Sequence, residues 1–414
     1  MRHLIIKNIG PIRVVDIELK RFNVFIGRQS SGKSTIAKVI STCNWIEKEV
    51  STTLDINAIV DGEAFKNLME GFHKMDGYFS DSSEIHFESD YIKIDYVSGK
   101  VVIGLKQDQD YHRQKICYIP AERNMVTLPE LQGFEFGATN LRSFLFDWFN
   151  AREFYNDENK TDIMGLGVKY FYDKEEKRFK DRIEHINGQT YGIPLSSASS
   201  GLQSIVPLLV MLQYYSGQYF TVVGQKKSFN QDTKTFKLMR ALAERYVLKP
   251  YKPNHTQNES EQLLIDISAK LQGGDEKCRE LMLNYKTAFN RLLTPVKTTF
   301  IIEEPEQNLY PTTQLELIER LAMLCQQERK HEFTLTTHSP YIVNYFNILI
   351  NQKKEERGKI SVDDLNVFAV GEGGVQNLKS RDENGEWLID TFDLTEQMQA
   401  IYTEYQSLKK SSVK

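Results

Sequence analysis

The chain reads as an α/β protein with a mixed central sheet, an antiparallel β edge and an inserted helical region. Three observations predict this. The apolar run Phe22 to Ile26 feeds a glycine-rich loop and then a helix. The strand-like stretches TFIIEE (299 to 304) and FTLTTH (333 to 338) flank a helix of about Thr313 to Cys325, the strand–helix–strand order of a parallel sheet. Residues 84 to 105 hold three short alternating runs, IHFES, YIKIDY and VVIGL, separated by polar or glycine turns, which is the period of a small antiparallel sheet.

In chain order, residues 3 to 9 and 12 to 19 alternate apolar and polar around Gly10-Pro11 and predict a hairpin. A helix follows the glycine loop from about Ser34 to Val50. Cys117 to Ile119 is a strand stopped by Pro120, which cannot donate to a ladder. Residues 139 to 155 and 201 to 215 read as helices, and IEHINGQTYGI carries an Asn-Gly turn between alternating runs. Pro250 and Pro253 mark a polar loop between Val247 and Glu261 in a region, 216 to 297, that is otherwise helix-rich. LNVFAV (365 to 370) is a strand, and GGVQNLKS and GEWLIDTF read as strands and a turn before a helix through about Leu408. There is no internal repeat, and no heptad pattern long enough for a coiled-coil arm.

With 414 residues, 40% apolar, 26% charged and 11% aromatic, the chain has the composition of a folded soluble protein. Its longest apolar run, Ile205 to Leu212, contains Pro207 and is too short to span a bilayer. The opening MRHLIIKNIG lacks the apolar core and cleavage site of a secretion signal, so a cytoplasmic protein with no membrane partner is expected. Cys43, Cys117, Cys278 and Cys325 stand far apart and form no zinc or disulfide pattern. Asn254 and Asn258 begin glycosylation triplets but read as polar loop residues. A net charge of −4 offers no overall attraction to nucleic acid, so any DNA contact requires a local patch.

Four stretches carry chemistry. Gly27, Gly32, Lys33 and Ser34 satisfy G-x-x-x-x-G-K-S after an apolar strand and before a helix. Backbone N–H groups of Gly27, Arg28, Gln29, Ser30, Ser31, Gly32, Lys33, Ser34 and Thr35 would close around the phosphates of ATP, Lys33 would reach the terminal ones, and Ser34 would ligate Mg²⁺. This is the signature of a P-loop NTPase. TTFIIEEPEQNLYP (298 to 311) delivers two adjacent carboxylates at a strand end, with Glu303 expected to hold Mg²⁺ and Glu304 to polarise the attacking water. ASSGLQS (198 to 204) is a small-residue loop before a helix, where Ser199 and Gly201 offer a hydroxyl and backbone N–H groups; as an isolated feature it is more often a helix cap than a ligand site. In THSP, His338 stands just beyond a strand, where an imidazole reaches a terminal phosphate.

The series 27 to 34, YIPAERN (118 to 124), SSGLQ (199 to 203), IIEEPEQNLYP (301 to 311) and THSPYIV (337 to 343) resembles ABC-type ATPases of the RecF, SMC and OLD-like group. It is most similar to the compact AAA-15/AAA-21 type common in bacterial phage-defence and toxin-like operons. The resemblance spans about residues 1 to 345 and implies an ABC-type head. It further implies a head-to-tail dimer, each ATP lying between the Walker loop of one protomer and the signature loop of its partner. Lys33 and Ser34 then bind phosphate and Mg²⁺, Glu303 and Glu304 form the Walker B pair, and Ser199, Ser200 and Gly201 contact ATP in trans. Asn308 to Tyr310 become the interface loop and His338 the switch histidine. Two departures stand out: the signature begins SSG rather than LSGG, and the glutamine that relatives place near the end of the arm strand is absent. Pro120-Ala121-Glu122-Arg123 stands there, leaving Gln114 or Arg123 as substitutes. OLD-type proteins continue into a Toprim nuclease, whereas 76 residues follow His338 here, and Asp363, Asp364 and Asp382 read as surface residues.

The expected organisation is an N-terminal half of the ATPase core (1 to 124), a helical region with the signature loop (125 to 297), a C-terminal half (298 to 370) and a tail (371 to 414). The expected function is slow ATP hydrolysis coupled to closure of a homodimer or higher oligomer that regulates a separate effector protein, a nuclease or toxin, in phage defence. Alternatives are a RecF-like DNA-binding ATPase of repair and a non-hydrolysing ATP-bound scaffold. A transporter ATPase is the least favoured.

Overall fold

The computed structural model describes residues 2–53, 62–106, 111–128, 131, 137–176, 180–186, 188, 190–225, 233–352 and 358–411. The hairpin around Gly10-Pro11 forms as expected, with β1 (Arg2–Ile9) antiparallel to β2 (Ile12–Leu19). Strand β3 (Phe22–Gly27) runs into the glycine loop, and α1 (Lys33–Thr53) follows. After the short α2 (Gly62–Asn67), the predicted runs appear as β4 (Phe79–Glu88), β5 (Ile92–Val97) and β6 (Lys100–Leu105). They join the hairpin in one five-stranded antiparallel sheet, β2-β1-β4-β5-β6. Leu4, Ile6, Ile85, Phe87 and Ile94 line its inner face, all fully buried beside Ile36, Val39 and Ile40 of α1, the one-sided burial usual for an antiparallel sheet.

Strand β7 (Gln114–Ile119) ends at Pro120 and leads to α3 (Asn140–Arg152). Four strands come next: β8 (Thr161–Asp162), β9 (Val168–Tyr172), β10 (Asp181–His185) and β11 (Tyr191–Pro194). They form an antiparallel sheet, β11-β10-β9-β8, inside the insertion, which is thus helical with a β flank. Only β10 and β11 were foreseeable as a hairpin, and its turn residues 187 and 189 lie outside the described residues. Helices α4 (Ser200–Gln213) and α5 (Tyr219–Gln225) are joined by a π-helical turn, Tyr214–Gln218. Then come α6 (Thr233–Ala243), α7 (Lys249–Tyr251), α8 (Ser260–Gln272) and α9 (Glu276–Leu293).

The chain returns to the main sheet through β12 (Lys297–Glu303), α10 (Pro311–Gln326), β13 (Glu332–Thr337), α11 (Pro340–Asn351) and β14 (Leu365–Gly371). It ends in β15 (Gly374–Asn377), the ribbon β16 (Lys379–Arg381) and β17 (Trp387–Ile389), and α12 (Phe392–Ser411). The six-stranded sheet has the order β15-β14-β3-β13-β12-β7, with every pair parallel except the edge pair β14 and β15. Both faces are covered, so β3 is apolar on both sides apart from Asn23, whose side chain is satisfied by the Lys20 backbone: Phe22, Val24 and Ile26 enter one core and Phe25 the other. Ile205 to Leu212 of α4 are all buried in the first core, so that run serves packing. Among the described residues no helix is long and apolar enough to cross a membrane.

The four cysteines are free and buried, as small hydrophobes are. Asp363 and Asp382 are exposed, while Asp364 forms a half-buried ion pair with Arg21. No group of three or more histidine, cysteine, aspartate or glutamate side chains is placed to hold a metal ion among the described residues.

Candidate functional site

In the parallel sheet β3, β13 and β12 end on the same edge, and the loops beyond them meet. Gly27 closes β3 against β14: a Cβ there would lie 2.2 Å from the backbone oxygen of Val370, so the neighbouring strand excludes any side chain. The loop then reverses through left-handed conformations at Ser30 (φ +60°) and Gly32 (φ +102°), and α1 begins at Lys33 with its N-terminus directed into the loop. Arg28, Gln29 and Ser30 are exposed. The Lys33 ammonium is folded back over the loop, donating to the carbonyls of Gly27 (3.0 Å) and Arg28 (2.8 Å). Burial lowers its pKa, opposed by the charges of Glu304, Glu306 and Glu303. The buried Ser31 hydroxyl has no hydrogen-bond partner. A cradle of N–H groups, a desolvated cation and an unpartnered hydroxyl suit an anion better than the neutral carbonyls that the lysine holds.

Across the mouth, β12 delivers the two acids. Ser34 Oγ donates to Glu303 Oε2 at 2.9 Å, while the Tyr118 hydroxyl donates to Glu303 Oε1. A hydroxyl and a carboxylate oxygen so placed are hard donors fit for a divalent cation such as Mg²⁺. Glu304 follows in a left-handed conformation (φ +44°), uncommon for a residue with a Cβ. Its N–H is fixed by the Thr336 carbonyl of β13 at 2.8 Å. Its carboxylate remains solvent-accessible, with Oε1 3.6 Å from His338 Nε2. His338 is itself set by its backbone N–H, which donates to Glu306 Oε1 at 2.6 Å. Residues 27 to 35, 303, 304 and 338 therefore converge.

Ser199, Ser200 and Gly201 lie elsewhere on this surface. Ser199 caps α4, its Oγ accepting from the Leu202 N–H at 3.4 Å, and both serines are exposed. Gly201 stands against the next loop, where a Cβ would be 3.0 Å from the Asn308 carbonyl. Asn308, at φ +60°, donates from Nδ2 to Ser204 Oγ at 3.0 Å, and Tyr310 beside it is 74% exposed. Segments 199–201 and 308–310 thus form one continuous patch. Among the described residues no hydrogen bond joins 199–201 to the 27–35 loop of the same chain.

Of the two substitutes for the missing glutamine, Gln114 is excluded by register. It pairs with Lys297 at the far end of β12, six residues or about 20 Å from Glu303 at roughly 3.3 Å per residue, and is occupied by the Thr299 hydroxyl. Arg123 is well placed: fully buried just after Pro120, it donates to the carbonyls of Glu303, Glu304 and Ser204. Tyr118 was not foreseen as a site residue. Its signal is register, since β7 and β12 run parallel with Ile119 opposite Ile302, so the polar head at 118 reaches the acid that ends β12.

No family model matches the sequence, and no curated protein matches it. Among solved structures, an SMC head domain from Thermotoga maritima is 11% identical, with 92% of this chain and 100% of that one covered at a TM-score of 0.37. A dimeric ATP-binding cassette in a post-hydrolysis state with ADP and Pi is 12% identical (90% and 96% covered, TM-score 0.31). The recombination mediator RecF is 9% identical (91% and 97% covered, TM-score 0.30). At such identities and TM-scores these likenesses carry no residue role onto this chain.

Proposed function

We propose that the protein is a Mg²⁺-dependent ATPase of the ABC-type head class. The observation that supports this most is the approach of Ser34 Oγ and Glu303 Oε2 to 2.9 Å at the mouth of the glycine loop, with Glu304 and His338 beside them. In this reading the 27–35 loop and Lys33 hold the triphosphate, and Ser34 and Glu303 hold Mg²⁺, which neutralises phosphate charge when bound. Glu304 orients the attacking water, and its exposed carboxylate is open to solvent for that task. His338 faces the same water or the terminal phosphate.

Ser199 and Ser200, exposed at the tip of α4, and Gly201, packed against the Asn308 carbonyl, would meet the nucleotide of a second copy. Closure of that dimer on ATP and its reopening on hydrolysis would be the output. The finer reading, supported by the motif series, is regulation of a separate effector, a nuclease or toxin, in bacterial phage defence.

The test is ATP hydrolysis together with size-exclusion chromatography of Glu304→Gln with Mg-ATP. Hydrolysis by the wild type and an ATP-dependent dimer of the variant are expected. A variant that binds ATP and stays monomeric rules out the shared site. For the effector, a Lys33→Ala chain co-expressed with the neighbouring gene product should fail to restrain it where the wild type succeeds; equal behaviour of the two removes the regulatory role.

A further inference from the structure

We propose that Arg123 is a positioning residue that locks the Glu303–Glu304 turn to helix α4, so that the Glu304 carboxylate and the 199–201 tip move as one body. The proposal rests on the ATPase reading above and adds to it the link between hydrolysis and closure.

The guanidinium is fully buried, yet its hydrogen bonds go to main-chain carbonyls. Nη1 donates to the Glu303 oxygen at 2.8 Å and to Pro120 at 3.4 Å, Nη2 donates to Glu304 at 2.7 Å, and Nε donates to Ser204 at 3.1 Å. Burying a cation among neutral acceptors is costly, and that burial brings the Arg123 pKa down to about 10 against the opposing charges of Glu306, Glu304 and Glu303. A packing role would be met by an apolar side chain. What the guanidinium supplies is a planar fork of donors spanning three chain segments at once, which lysine, as a point charge, does not reproduce.

The acceptors are specific. The Glu303 and Glu304 carbonyls flank the left-handed residue on both sides, so the fork holds the peptide planes that aim the Glu304 side chain. The third carbonyl belongs to Ser204, one helical turn beyond Gly201. Ser204 also receives Asn308 on its hydroxyl, so the first turns of α4 are tied twice to the segment that follows β12. A shift of that segment toward metal and γ-phosphate carries the 199–201 tip with it. Equally, docking of the tip on a partner's nucleotide sets the aim of Glu304.

The experiment compares the full-length wild type with Arg123→Lys and Ser204→Ala, alone and combined with Glu304→Gln. Thermal midpoint, ATP affinity, kcat, KM and ATP-dependent dimerisation are read for each. For Arg123→Lys, ATP affinity and KM should stay within about 3-fold while kcat falls about 30-fold or more, because the aim of Glu304 is needed in the transition state rather than for binding. Combined with Glu304→Gln, the variant should no longer dimerise at ATP concentrations that dimerise Glu304→Gln alone. Ser204→Ala removes one of the two ties without disturbing a helix and should lower kcat about 3-fold in the same KM-independent way.

A folded Arg123→Lys with wild-type kcat and dimerisation overturns the lock, as does a loss that follows thermal stability with kcat and KM changing together. Should Arg123→Lys fail to fold, Arg123→Gln, which keeps an amide donor but loses the fork, is read in its place, and wild-type kcat and dimerisation of that variant overturn the lock. A wild type that neither hydrolyses ATP nor dimerises as Glu304→Gln overturns the ATPase reading itself, which separates the two failures.

Discussion

Replacing Tyr118 with phenylalanine tests how the cation site is held. The Tyr118 hydroxyl is buried against Ala37 and Ile301 and donates to Glu303 Oε1, while Ser34 donates to Oε2 from the loop side. The tyrosine therefore grips the oxygen turned away from the phosphate loop and leaves the other for a cation. Burial and the Glu303 charge both raise the Tyr118 pKa, so it remains a donor throughout the accessible pH range. A hydrogen bond to a charged group contributes about 1.5–3 kcal/mol. If its loss appears in cation binding, the Mg²⁺ concentration for half-maximal hydrolysis rises about 10- to 150-fold, at roughly 1.4 kcal/mol per decade. Phenylalanine fills the same space, so the fold and the affinity for metal-free ATP should persist. The assay is hydrolysis across a Mg²⁺ titration at saturating ATP, beside a thermal melt. An unchanged Mg²⁺ requirement refutes the orienting role, and a lower one would show that the hydroxyl competes with the cation.

Glu304→Gln keeps the shape of the side chain but cannot act as a base, so steady-state hydrolysis should drop about 100-fold or more with ATP binding intact; near-normal turnover would assign the water to another group. Gly27→Ala should abolish nucleotide binding, since its Cβ meets the Val370 carbonyl at 2.2 Å and a backbone atom cannot swing aside; retained binding in equilibrium dialysis would contradict the packing of β3 on β14. Glu332 supplies a pH test away from the site. Burial alone would raise its pKa, but Arg2 at 2.9 Å and Lys297 more than offset that and hold it at about 2, below an unfolded value near 4.5. The stabilisation is fully present above pH 4.5 and is lost as pH falls toward 2. Glu332→Gln, which leaves the partly exposed Arg2 and Lys297 without this anion, should lower unfolding free energy in urea at pH 7 by about 1–3 kcal/mol, less than for a fully buried pair. The difference from wild type should shrink in acid, and a pH-independent deficit would locate the effect in packing.

What could be read from the sequence follows how local each constraint is. The β1–β2 hairpin, β3 with its loop, and the β12–α10–β13 unit are visible because side-chain period and turn sterics act over a few residues. Strand β4 begins six residues before the recognisable run at Ile85, because Phe79 to Ser83 is polar and is held by serine contacts, Ser83 Oγ donating to the Asn8 carbonyl at 2.6 Å. Strand β8, two residues long, has no period to read. Within the site, the glycine loop, Glu303–Glu304 and His338 are contiguous motifs whose chemistry is written in their own neighbours. The parts that escaped belong to pairs far apart in the chain. Gln114 and Arg123 stand level as substitutes in the sequence, yet strand register sets Gln114 beside Lys297 and sets Tyr118 near Glu303, and nothing local to these residues encodes that alignment. Arg123 is the stronger case, because the sequence offers it only as one of two substitutes for a missing glutamine and gives no sign of what it binds. Only when β12 and α4, some 100 residues apart, close around it do its three carbonyl partners exist. The chemistry of this site is therefore local in sequence, whereas the coupling between its parts is a property of the assembled sheet edge. Mutations at Tyr118, Arg123 and Ser204 are accordingly the ones that separate holding a nucleotide from acting on it.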